Sequence, residues 1–141
     1  MYCTLEELIA AFGEPEIRQL SDRNRPPAGA VDPVVVNSAI DDAVAEINMY
    51  LEGRGLLPLK TVPETLRRMC CDIARYYLYQ NPHDDSPVST RYRQRVKQLE
   101  GIANGKLSLG LDKAGEVQKP DDTVMFEPGR NMFNNGGGGL W

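Results

Sequence analysis

Histidine is almost missing from this chain: His83 is the only one in 141 residues, and cysteine occurs three times, at Cys3, Cys70 and Cys71. One imidazole cannot complete a Cys/His zinc set, and two adjacent thiols on a helix are badly placed for a disulfide. The cysteines therefore read as buried reduced thiols, the usual setting of free cysteine. The apolar runs are far too short to span a bilayer. The N-terminus has no basic stretch followed by an apolar one, so no secretory signal is visible and synthesis in the cytoplasm is expected. A surplus of positive charge is also missing. The net charge is -4, which argues against tight non-specific duplex binding, since that rests on neutralising phosphates.

Chemistry-bearing sets are equally scarce. No G-x-x-x-x-G-K-[ST] loop is present, and the glycines at 136–139 are not followed by a helix, so they read as a tether. His83 lies in the polar turn NPHDDSP, where a solvated side chain is expected. Asp84 and Asp85 have the chemistry to hold a cation with Asp32 or Glu64, but nothing in the sequence fixes a ligand spacing. Asp41 and Asp42 cannot form a carboxylate dyad, because helical neighbours diverge by about 100°. No catalytic residue, metal ligand or cofactor site is assigned, and the chain is not expected to be an enzyme.

What is present is helical patterning over a length that fits one domain. Thr4 and Glu7 form a T-x-x-E capping box ahead of Leu5, Leu8, Ile9 and Phe12, and Gly13 ends that helix. A second short turn starts at Pro15 and stops at Ser21-Asp22. The stretch RNRPPAGA then breaks regular structure. Asp32-Pro33 is an N-cap followed by proline at the first helical position. The helix behind it carries Val36, Ile40, Val44, Ile47 and Leu51 at helical spacing, with Ala39 and Ala43 beside them to allow close approach. Gly53 and Gly55 stop it.

Thr61, Pro63 and Glu64 open the next helix, whose stripe is Leu66, Cys70, Ile73 and Tyr77; this one is expected to be the most buried. Tyr76, Tyr77 and Tyr79 read as core and rim aromatics rather than stacking platforms for bases. Ser86-Pro87 begins the last helix, with a stripe of Tyr92, Val96, Leu99 and Ala103, and Asn104-Gly105 closes it. The alternating Leu107, Leu109 and Leu111, with Gly115 to turn, suit a short hairpin. The predicted fold is all-α: a small bundle of three longer helices plus short N-terminal helices, with an extended C-terminal arm. The division falls at 1–105 for the helical body and 106–141 for hairpin and arm.

The arm closes with MFEPGRNMFNNGGGGLW, which places two Phe, two Met and the only Trp in a segment unable to fold alone. Extended, residues 125–141 reach on the order of 50 Å, beyond the width of a small helical domain. Their apolar side chains are expected to bury on another chain. The charges also segregate. The helix from Asp32 is acidic, with Asp41, Asp42 and Glu46, and the last helix is basic, with Arg91, Arg93, Arg95 and Lys97. Copies packed head-to-tail would bring the two signs together, and such heterologous contacts close into rings when the rotation allows. The alternative is a small helical nucleic-acid-binding regulator that uses the Arg91–Lys97 face.

Five blocks carry a resemblance: MYCTLEELIAAFGEPEIRQLSD, VDPVVVNSAIDDAVAEINMYLEGRGLLPL, VPETLRRMCCDIARYYLY, RYRQRVKQLEGIANGKLSLG and FEPGRNMF. Their order and spacing resemble the small head–tail connector (adaptor) family of Mu-like phages and prophages. The resemblance implies a structural virion protein made in the host cytoplasm and placed at the head–tail junction. It implies a homo-oligomeric ring of twelve copies under the portal protein, extending the DNA channel without sequence-specific DNA binding. It also implies a neck or tail completion protein as the partner below, and no membrane. The arm then becomes a docking element on the portal, through Phe126, Arg130, Met132, Phe133, Leu140 and Trp141. The glycine run departs from the more basic and polar ends of the family.

Overall fold

In the computed structural model, which describes residues 1–109, five helices follow one another: α1 (Leu5–Phe12), α2 (Glu14–Ser21), α3 (Pro33–Glu52), α4 (Glu64–Tyr79) and α5 (Pro87–Ala103). Each start is dictated locally. Thr4 accepts from the Glu7 amide while the Glu7 carboxylate accepts from the Thr4 amide, closing the capping box of α1. Asp32 accepts from the Val34 amide and Ser86 from the Ser89 amide, each just ahead of a proline at the first helical position. Gly13, at φ 96°, ends α1 and begins α2 within one residue, a conformation open to glycine at little cost.

Helix α3 packs along α4, the most extensive helix contact in the fold, and α5 packs on both. The buried stripe of α3 is Val36, Ile40, Ala43, Ile47 and Leu51, with Ala39 alongside. Val44 sits at the margin rather than in the stripe, and the small Ala39 and Ala43 face inward as anticipated. Helix α4 buries the most residues, Asp72 among them. All three cysteines are free and buried; the Cys3 thiol donates to Cys70 Sγ at 3.1 Å, which seats the N-terminal strap on α4.

Helices α1 and α2 close the side of the α3–α4 pair. Arg75 of α4 reaches Glu16 of α2 through two hydrogen bonds at 2.6 and 3.1 Å and lies 4.4 Å over the Phe12 ring. The α2–α3 loop is held by Asp22, which accepts from the Ala28 and Gly29 amides, and those bonds hold its carboxyl below the usual range.

The seam of α5 differs from the sequence expectation. Leu99 is buried and Tyr92 is half-buried as expected, but the inward positions are completed by Val88, Arg95 and Ile102 rather than by Val96 and Ala103. The spacing 88, 92, 95, 99, 102 is a regular alternation of four and three, and it wins over the alternative because Arg95 has a buried acid to meet. Past α5, Leu107 and Leu109 lie in no strand; Leu109 packs on the core, and the Leu107 amide donates to the Gly101 carbonyl at 3.0 Å. The rest of the anticipated hairpin and the arm lie outside the described residues.

Replacing Asp32 with Ala removes the cap of the longest helix and is expected to cost about 1 kcal/mol in urea unfolding, with the slope of the transition unchanged.

Candidate functional site

The basic run of α5 is divided by the helix itself. Arg95 turns inward, its side chain 17% exposed, and donates from Nε to Asp72 Oδ2 at 2.6 Å; Asp72 is 6% exposed. A buried carboxylate with so short a charge-assisted bond holds Arg95 in place. Arg91 lies on the same side, 3.7 Å from the same oxygen, with more than half of its side chain in solvent. Arg93 points away and donates to the Asp84 carbonyl at 2.9 Å. Lys97 is exposed. The structure therefore brings Arg91 and Arg95 together on Asp72 and separates them from Arg93 and Lys97.

The acidic helix is divided in the same way. Glu46 faces α4 and α5, where its carboxylate accepts from the Tyr77 hydroxyl and from Tyr92 Oη at 2.9 Å. The Tyr92 ring stacks on Tyr76 with centroids 3.9 Å apart and planes 7° from parallel. Burial, reinforced by the Glu46 carboxylate, pushes the Tyr92 phenol up to about 12 and raises Tyr77 as well. Asp41 and Asp42 are exposed on the outer face of α3. That face also carries Val34 and Met49, 77% and 73% exposed, with Ser38 and Ala45 between them. Val34 and Met49 stand at opposite ends of this face, large apolar side chains open to water among acids and small residues.

A cleft opens on the other side of α4. Ala10, Ala11 and Phe12 of α1 form an apolar wall, and Arg67, Arg68, Arg91 and Arg95 face it together with Glu7, Glu64 and Asp72. Arg68 is 70% exposed and reaches Glu64 at 3.3 Å. Among the described residues no group of three His, Cys, Asp or Glu is placed to hold a metal ion, and no helix is long and apolar enough to cross a membrane. His83 is exposed in its turn and accepts from the Asp85 amide.

Residues 2–127 match the family model for bacteriophage Mu Gp36. The chain belongs to that family. The Mu-like prophage FluMu protein gp36 of Haemophilus influenzae is 37% identical over 133 residues, spanning 94% of this chain and 92% of its own. Gene product J of Escherichia phage Mu is 34% identical over 134 residues, 94% of each chain. This is a phage protein family, and its match covers all five helices and runs through Phe126 of the terminal segment. Phe126, Arg130, Met132, Phe133, Leu140 and Trp141 themselves lie outside the described residues.

In this Gp36-family chain two features escaped the sequence reading. The Asp72–Arg95 pair was one: hydropathy places Val96 rather than Arg95 at the seam, and only with Arg95 known to face inward does α4, whose acids are Glu64 and Asp72, point to a partner. The convergence of Tyr77 and Tyr92 on Glu46 was the other; three residues from three helices leave no spacing to read.

Asp72→Ala leaves the Arg95 charge buried without its acid and is expected to destabilise the fold by about 3–5 kcal/mol; Asp72→Leu with Arg95→Met recovers most of the loss, because a well-packed apolar pair replaces a buried ion pair at little net cost. The tyrosines predict the alkaline limb. Their folded protonated form is favoured, so the unfolded chain ionises first, and stability falls as pH rises from about 10 toward about 12. Tyr92→Phe flattens that limb in a denaturation series followed by tyrosinate absorbance.

Proposed function

We propose that this chain is a structural head–tail connector (adaptor) of a phage virion. Copies form a ring beneath the portal, twelve by the family resemblance, which extends the DNA channel and offers a platform to a neck or tail completion protein. The observation that carries the reading is a near-full-length match to a phage Mu family by a helical body that leaves Val34 and Met49 open on one acidic helix face. A protein working through contacts needs such surfaces and no converging catalytic groups, and we assign it no chemistry of its own.

The terminal segment supplies the portal contact. Phe126, Met132, Phe133, Leu140 and Trp141 are the apolar anchors and Arg130 the charged one. Ordering a tether of this kind costs affinity for one copy, and the multiplicity of a ring offsets it through effective concentration. The net charge of -4 suits a neighbour of passing DNA, since a strongly basic lumen would hold it. The nucleic-acid-binding alternative needs Arg91 to Lys97 as one face; Arg95 is turned inward to Asp72, and Arg91 lies on its side of the helix, away from Arg93 and Lys97.

Deleting residues 125–141 is expected to leave helix content and the melting temperature of the purified protein unchanged while abolishing its co-sedimentation with assembled heads. Retained co-sedimentation together with a collapsed fold would falsify the docking role of the segment.

A further inference from the structure

The outer face of α3 and the cleft beside α4 point in opposite directions. Helices α3 and α4 turn their buried stripes toward each other, Val36, Ile40 and Ala43 from one and Leu66, Cys70 and Ile73 from the other. Asp41, Ala45 and Met49 lie half a helical turn from the first stripe, and Arg68 lies half a turn from the second. The two surfaces therefore stand back to back across the bundle.

They also match. The α3 face is a ridge: Val34 and Met49 project at its ends, Ser38 and Ala45 keep its middle low, and Asp41, Asp42 and Glu52 give it one sign of charge. No ion pair to any of these acids occurs among the described residues. The cleft is a hollow with an apolar wall of Ala10, Ala11 and Phe12. Its mouth carries Arg68, bound among the described residues only to an exposed Glu64, and Arg91, which competes for an Asp72 already engaged by Arg95 at 2.6 Å. Both arginines keep donors free for an incoming carboxylate.

We infer that the α3 ridge of one copy seats in the α1–α4–α5 cleft of a second copy, with Asp41 and Asp42 against Arg68 and Arg91. The two surfaces are different and lie on opposite sides, so the contact is heterologous: each copy uses its ridge on one neighbour and its cleft on the next. Repetition builds a closed ring or an open chain rather than a two-fold pair. This assignment rests on the ring proposed above and specifies which surfaces make it. Glu46 and Arg95 stay inside the subunit, bound to the tyrosines and to Asp72.

Paired cysteines test it. The full chain carrying Ala10→Cys and Ala45→Cys, both exposed positions, is oxidised in purified particles and as concentrated purified protein. A ladder of dimers, trimers and higher species that collapses on reduction, and that is absent from either single variant, is the expected result. A ladder in the purified protein with the chain missing from particles keeps this contact and sinks the connector role. Presence in particles without a ladder overturns the contact alone, and absence of both overturns both. A band limited to dimers overturns the heterologous arrangement. Cross-linking of Ala45→Cys to Leu140→Cys instead of Ala10→Cys shows the terminal segment on the ridge, and likewise overturns it. Charge reversal adds a check that needs no new cysteine: Asp41→Lys with Asp42→Lys, or Arg68→Glu alone, disperses the assembly, and the triple variant restores it.

Discussion

The bond between Arg95 and Asp72 fits one rotation of α5, the one that also buries Val88, Leu99 and Ile102, and most of the surface follows from that rotation. An arginine inside a helix seam is tolerable only opposite a carboxylate that water has also left, because either charge alone would be costly to bury. Once Arg95 is turned to α4, the helix period carries Tyr92 toward Glu46, Leu99 and Ile102 into the core, and Arg93 and Lys97 outward. A run of basic residues that looks uniform in sequence becomes two groups with different neighbours. Buried pairs of this kind add little net stability compared with an apolar substitute; here the pair is compatible with only one register of α5 on α4.

Glu46 plays the matching part on α3. Its carboxylate takes hydrogen bonds from tyrosines of two other helices, so the three long helices are tied together at one half-buried polar point. Asp41 and Glu52 lie on the outer face with Val34 and Met49, and Asp42 stands between that face and Glu46. The chain therefore separates charges that hold the subunit together from charges left available outside. That division suits a protein of a phage family whose proposed work is to be held between other proteins.

Much of the fold was legible in advance because its signals are local. The capping box at Thr4 and Glu7, Asp32 before Pro33, Ser86 before Pro87, and the glycines after α1 and α3 each act within a few residues, and the helices begin and end there. Ala39 and Ala43 were readable as close-approach positions for the same reason. The choice between Val96 and Arg95 as the inward residue of α5 was not readable, because hydropathy favours Val and only the distant Asp72 reverses the preference. Asp41 and Asp42 were separable from a carboxylate dyad by helix geometry, but nothing in the sequence tells that Glu46, one turn beyond Asp42 and beside it, reaches a tyrosine pair on two other helices.

Immediately after α5 the backbone doubles back, and Leu107 lies across Gly101 so closely that a Cβ on that glycine would meet Leu107 Cδ1 at 2.7 Å. The fastening is made of one amide, one missing methyl group and one leucine. It fixes the point on the subunit from which residues 110–141 continue. In the ring proposed above, these fastened ends would stand at equal intervals, at a spacing set by the helical body.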